Sequence, residues 1–166
     1  MAQKHTPDRN GAGTPPALFD TLHAEYGFTV DVCATKANAK IARYWDKGSN
    51  GLLQPWSGER VWCNPPYRDI PPWLDLAFVP DFVAYLLPAR TDRVWWMRLK
   101  SHAECHYFLG ESPERRVQFT RQPGVDPKTW NANNLTNVLF LFGTHATAGH
   151  EAYRSGIDGT RIALRR

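Results

Sequence analysis

Leu18, Phe19, Leu22 and Tyr26 recur at the spacing of one helical face. Thr14-Pro15-Pro16 precedes them, with a threonine suited to N-cap the helix and prolines suited to its first turn. Gly27 is a natural stop. Phe28-Thr29-Val30-Asp31-Val32-Cys33 then alternates as a strand does. A helix is predicted over Ala34 to Tyr44 and a loop over Gly48 to Gly58. Arg60-Val61-Trp62 reads as a strand running into Cys63, and Pro71-Pro72-Trp73-Leu74 opens a helix reaching residue 79. Phe82-Val83-Ala84-Tyr85-Leu86-Leu87 is a continuous apolar run bounded by proline, the pattern of a strand buried on both faces. Asp92 to Lys100 is a helix candidate and Glu104 to Leu109 another strand. Strand and helix alternate repeatedly, which predicts an α/β fold with a mainly parallel sheet.

The last third changes character. Arg115 to Thr120 and Thr136 to Phe142 read as strands, giving the parallel sheet a C-terminal antiparallel hairpin. The polar segment between them, Arg121 to Leu135, is too long for a tight turn, and segments of that length are often functional. The pattern therefore predicts a flexible N-terminus over 1–13, a main domain over 14–143 and a Gly-rich, basic tail over 144–166 to which no element is assigned. At 166 residues the chain has one-domain length. Its 42% hydrophobic and 22% charged content is that of an ordinary globular protein. A net charge of +4 and a pI near 9.1 suit phosphate contact without requiring it. No apolar run is long enough to span a bilayer. The polar start Met1-Ala2-Gln3-Lys4-His5 does not read as a signal peptide, and a cytoplasmic location is expected.

Chemistry concentrates at Asn64-Pro65-Pro66-Tyr67, directly after a predicted strand. The Asn64 side-chain oxygen and the Pro65 carbonyl are both acceptors, the prolines lack N–H groups that would compete for carbonyls, and Tyr67 offers a stacking face. This set suits methyl transfer to the amino nitrogen of a nucleobase. The competing reading is a proline-rich turn or an adaptor ligand, but such ligands lie more often in disordered tails. Asp31, Cys33 and Ala34 end the first predicted strand with an acid and small residues, where open α/β sheets bind ligands at a switch in strand connection. Arg90 follows the buried strand within Pro88-Ala89-Arg90-Thr91-Asp92 and is expected to line the same crevice. His102, Cys105 and His106 lie close in sequence, yet alternation sends Cys105 and His106 to opposite faces, so no metal site is expected. The three cysteines, Cys33, Cys63 and Cys105, do not suggest a disulfide framework.

These residues give the chain a resemblance to the phage-type DNA N-6-adenine methyltransferases, small Dam-like enzymes. Its carriers are Thr14-Pro15-Pro16-Ala17-Leu18-Phe19-Asp20, the Phe28 to Ala34 segment, Arg43-Tyr44-Trp45, Gly51-Leu52, Val61 to Tyr67, and Leu86 to Asp92 with Trp95-Trp96. The resemblance implies a Rossmann-like, seven-stranded methyltransferase sheet, S-adenosylmethionine as methyl donor and double-stranded DNA as partner. It implies that Asn64, Pro65, Pro66 and Tyr67 are catalytic, that Asp31, Cys33 and Ala34 belong to the cofactor-binding segment, and that Thr14 and Pro15 touch the methionine part of the cofactor. The chain departs from the family pattern where Thr35-Lys36 replaces a Gly-rich turn. The target base is expected to be flipped out and stacked on Tyr67. Arg116, Arg121 and Lys128 are expected to contact DNA together with Arg90. Rival readings are an inactive nucleic-acid-binding module of the same fold, or an amino-methyltransferase acting on cytosine N4, RNA or protein. For a phage-encoded chain the location is the host cytoplasm.

Overall fold

The computed structural model describes residues 12–109, 117–121 and 136–163. Six strands form one mixed sheet: β2 (Val30–Asp31), β3 (Arg60–Cys63), β4 (Phe82–Pro88), β5 (Glu104–Leu109), β7 (Asn137–Gly143) and β8 (Glu151–Ser155). Their order across the sheet is β2-β3-β4-β7-β5-β8. The β2–β3, β3–β4 and β5–β8 pairs are parallel, and β7 runs antiparallel to both neighbours. The short pair β1 (Ala12–Gly13) and β6 (Thr120–Arg121) stands apart from this sheet. An α/β fold with a mainly parallel sheet is thus what forms.

Every residue of β4 is buried, and so are the first six of β7. A strand covered on both faces has no reason to alternate, so both read as continuous apolar runs. One face carries Val61, Cys63, Val83, Tyr85 and Leu87 and packs on α2 (Pro71–Leu74) and α3 (Val94–Lys100) through Trp73, Trp96 and Leu99. The other carries Trp62, Ala84 and Leu86 and packs on α1 (Pro16–Tyr26) through Leu18, Phe19 and Leu22. The helices change face between α1 and α2, while β2, β3 and β4 follow one another across the sheet without a reversal of strand order, so the switch in connection expected at Asp31 does not occur among these strands.

Several expectations are corrected. No helix forms over 34–44. Asn38 Oδ1 instead accepts from the Thr35 N–H (2.6 Å) and the Thr35 hydroxyl (3.1 Å), local bonds that compete with helix formation. Residues 43–45 then lie along β2: the Asp31 N–H donates to the Arg43 carbonyl, and the Trp45 N–H donates to the Asp31 carbonyl. Among the described residues the sheet has six strands and not the seven that the resemblance implies, and beyond β2 it is extended only by a single parallel bridge, Asp31 to Tyr44. The helix at 71–79 is regular only to Leu74, after which Ala77 and Val79 close three-residue turns on Leu74 and Leu76. Thr14 does not cap α1, because Pro15 takes the N-cap position and its carbonyl accepts from the Phe19 N–H (3.0 Å). The Gly27 stop does form, in the left-handed region at φ 61°.

The C-terminal hairpin is also corrected. Thr120–Arg121 pairs with Ala12–Gly13, while β7 inserts between β4 and β5. From Val138 to Phe142 β7 is apolar on both faces and has no polar face to offer at a sheet edge, so it takes a central position. Within 144–163 the chain adds the edge strand β8, parallel to β5. Its anchor is Arg154, fully buried, which gives Nε to His106 Nδ1 (2.7 Å), Nη1 to the Gly159 carbonyl (2.8 Å) and Nη2 to Glu25 Oε2 (2.6 Å) and the Tyr26 hydroxyl (2.7 Å).

Candidate active site

Three strands, β2, β3 and β4, deliver their carboxyl ends side by side, and the candidate residues follow directly from them. Asn64 leaves β3 half-buried and donates from Nδ2 to the Thr14 hydroxyl (3.3 Å). That contact fixes the amide with Oδ1 unused. Among the described residues no group donates to Asn64 Oδ1 or to the Pro65 carbonyl. The Pro66 carbonyl is spent on a turn, accepting from the Asp69 N–H (3.0 Å). Of the carbonyls made available by the two prolines, the one next to Asn64 is therefore the open acceptor.

Tyr67 is held at both ends. Its hydroxyl accepts from Asn137 Nδ2 (2.9 Å), and its ring meets Phe119 edge-on at 6.3 Å between centroids. Burial pushes the Tyr67 phenol well above its ordinary pKa, and the bond from Asn137 pulls only partly back, so the group is neutral at physiological pH. Asn137 is itself 1% exposed, and Nδ2 also lies 3.4 Å from the Leu87 carbonyl. Asn137 and Phe119 are functional candidates missed by the sequence pattern. Asn137 carries a signal that could have found it: a lone amide opening an otherwise apolar strand needs a buried partner.

A cleft of about 390 Å³ opens beside Tyr67. One wall comes from the turn after β3, with Tyr67, Arg68, Ile70 and Pro71, and the other from the end of β4 and the start of α3, with Pro88, Arg90, Arg93 and Trp95. Its size falls within the range of small-molecule sites, roughly 300–1,000 Å³. Arg90 forms a fork with Asp92, Nε to Oδ1 at 2.9 Å and Nη2 to Oδ2 at 2.8 Å, and Arg93 reaches the same carboxylate at 3.4 Å.

At the end of β2 the Asp31 carboxylate is buried. Its Oδ1 accepts from the Cys33 N–H (3.4 Å) and its Oδ2 from the Lys40 N–H (3.1 Å). Desolvation lifts its pKa to about 6, against the lowering effect of those two N–H groups. Asp31 thus organises the loop that carries Cys33 and Ala34. Gly51 backs this strand end: a Cβ there would overlap the Val32 carbonyl and press on Trp73. Thr14 is brought to Asn64 from the far end of the sequence, and Pro15 follows it into α1. The β1–β6 pair ties the approach to Thr14 to the segment bearing Arg121, which is exposed. Arg116 and Lys128 lie outside the described residues.

All three cysteines are free thiols. Glu104, His106 and His150 place ligand-type atoms within 4.8 Å of one another. Arg154 donates to His106 Nδ1, so the ring proton sits on Nε2 and is given to Glu104 Oε1 (2.6 Å). Burial lowers the His106 pKa to about 4 despite that carboxylate. A metal at Nε2 would have to strip the proton from a ring whose other nitrogen already faces a guanidinium. The cluster therefore reads as a buried hydrogen-bond chain locking β8 to β5. Among the described residues no helix is long and apolar enough to cross a membrane.

No solved structure matches the chain. A DNA N-6-adenine-methyltransferase of Haemophilus phage HP1 (strain HP1c1) is 25% identical over 127 residues, covering 74% of this chain and 70% of that protein. Residues 2–156, nearly the whole sequence and every element described above, match the family described as DNA N-6-adenine-methyltransferase (Dam), and the chain belongs to that family.

Proposed function

We propose that the protein transfers a methyl group from S-adenosylmethionine to the exocyclic N6 of adenine in double-stranded DNA, acting on a base turned out of the helix. One observation carries the reading. Among the described residues Asn64 Oδ1 and the Pro65 carbonyl are adjacent acceptors without a donor, and they precede a tyrosine ring fixed at the wall of a cleft. An adenine amine has two N–H groups to satisfy such a pair. Accepting both draws the nitrogen towards a pyramidal shape and localises its lone pair. Asn64 cannot act as a strong base and need not, because the N–H proton becomes acidic only as the new N–C bond forms. Catalysis then rests on positioning and on acceptors fixed in advance.

Adenine N6 is hard to reach inside a duplex, so the base is extruded. Tyr67 stacks on it, an interaction worth about 1–3 kcal/mol by analogy with single-strand binders. S-adenosylmethionine, when bound, supplies an electrophilic methyl on a positively charged sulfur. The residues fit such a group at the end of β2, where Asp31 is the acid at the strand end, while Arg90 and Arg93 follow β4 and Arg68 lies in the turn after β3. Thr14, Pro15, Cys33 and Ala34 are the residues proposed to hold it, with Asp31 shaping their loop.

The test is incubation with labelled donor and unmethylated duplex DNA, followed by digestion and identification of the labelled base. N6-methyladenine is the expected product. Label at cytosine N4, in RNA or in protein would overturn the substrate. Cofactor binding without transfer would make the chain an inactive module.

A further inference from the structure

The cleft beside Tyr67 has a cationic mouth. Arg68, Arg90 and Arg93 all line it, against one carboxylate, Asp92. Asp92 spends both oxygens on the fork of Arg90. That leaves Arg93 with a single contact at 3.4 Å, and Arg68 with no acidic partner among the described residues. Trp95, half-buried, turns part of its ring to the same space, on the wall opposite Tyr67. Guanidinium donors around an aromatic-walled cleft are suited to a planar base joined to an anion.

We propose that the mouth of this cleft grips one backbone phosphate of the DNA strand that carries the extruded adenine. Arg68 and Arg93 are its contacts, Arg90 is held by Asp92 as the frame between them, and Trp95 is a face for the neighbouring base. This rests on the methyl-transfer reading and adds the part of the substrate that reading leaves unplaced. The cofactor carboxylate is the other anion to consider. Direct displacement places donor and acceptor on opposite sides of the moving methyl. Of the proposed donor residues, Cys33 and Ala34 follow β2, on one side of β3, whereas Arg90 and Arg93 follow β4, on the other side, and Arg68 joins them at the cleft from the turn after β3. The acceptor strand therefore takes the arginine side.

The test compares Arg68→Ala, Arg93→Ala and the double variant with the wild type, all exposed positions whose loss leaves the core intact. Binding of a short unmethylated duplex is measured across salt concentrations, and S-adenosylmethionine binding is measured separately by calorimetry. Because both arginines share one phosphate, the double variant is expected to lower the slope of log affinity against log salt by about 0.9, not twice that. The KM for DNA rises, and cofactor affinity and kcat stay within about twofold. A loss of cofactor affinity with an unchanged DNA slope would assign the cleft to the cofactor carboxylate and overturn the proposal. Unchanged slope and unchanged cofactor affinity would overturn it equally. If the wild type methylates adenine while the variants match it, only the phosphate grip fails. If the wild type transfers no methyl to adenine, the underlying reading fails.

Discussion

Asn137 and Tyr67 meet through one hydrogen bond across the sheet end, and replacing either partner tests whether that bond sets the ring of Tyr67. Asn137→Ala removes the donor to the Tyr67 hydroxyl at 2.9 Å and the weaker contact to the Leu87 carbonyl at 3.4 Å, from a side chain that is 1% exposed. Losing a buried donor and stranding its partner costs about 1–3 kcal/mol. Tyr67→Phe removes only the hydroxyl and leaves Asn137 its contact with Leu87, for a cost of about 1 kcal/mol. If the shared bond dominates, the double variant costs less than the two singles together by about 0.5–1.5 kcal/mol. Urea unfolding of the four proteins measures this directly. A ring freed to rotate also gives up part of its stacking, about 1–3 kcal/mol in full. Asn137→Ala should therefore raise the KM for DNA by up to roughly tenfold, since about 1.4 kcal/mol is a factor of ten, and leave cofactor affinity unchanged. Additivity within about 0.3–0.5 kcal/mol, or a fall in cofactor affinity, refutes the positioning role.

The remaining expectations concern the frame of the site. Asp31 has its folded pKa raised from 3.8 to about 6 by burial, so its contribution to stability is fully present below pH 4 and is lost as pH rises through 6. Relative to Asp31→Asn, the wild type should lose about 3 kcal/mol between those limits, at about 1.36 kcal/mol per unit of pKa; a pH-independent gap between the two unfolding curves would contradict this. His106, with its pKa depressed by burial, works in the opposite sense, losing stability as pH falls from its ordinary value towards 4, which is why the difference between variants is the quantity to read. Gly51→Ala drives a methyl into the Val32 carbonyl and should destabilise by about 1–3 kcal/mol; an unchanged melting temperature would show that the strand end yields. Arg154→Met leaves His106 without its donor and Glu25 without one of its two arginines, a loss of about 3–5 kcal/mol in chemical unfolding, and a change below about 1 kcal/mol would remove β8 from the cooperative core.

The parts of the fold legible in the sequence are those governed by local pattern. β3, β4 and β5 lie where the apolar runs put them, and Asn64 to Tyr67 emerge at the end of a strand as expected. What was not legible depends on partners far away in the chain. Ala34 to Tyr44 has helical spacing, but the edge of β2 and the Thr35–Asn38 bonds claim its backbone. Thr120–Arg121 lies nearer in sequence to β7 than to Ala12, yet it pairs with Ala12–Gly13. Glu151 to Ser155 looks like a polar tail because its anchor is a charge, and Arg154 becomes an interior residue only when Glu25, Tyr26 and His106 surround it. At the site, the acceptors could be named from residue types alone. The pinning of Tyr67 by Asn137, 70 positions away, and the arginine-lined mouth of the cleft required the fold.

The most direct measurement is single-turnover methyl transfer to an adenine-containing duplex by Asn64→Ala, with cofactor binding followed on the same protein preparation. Removing one of two fixed acceptors should slow the chemical step by about 10²–10³, as the loss of one preorganised group does elsewhere, while cofactor affinity and the unfolding midpoint stay near those of the wild type. Transfer at the wild-type rate, or parallel loss of transfer and cofactor binding in a folded protein, would show that Asn64 does not hold the amine.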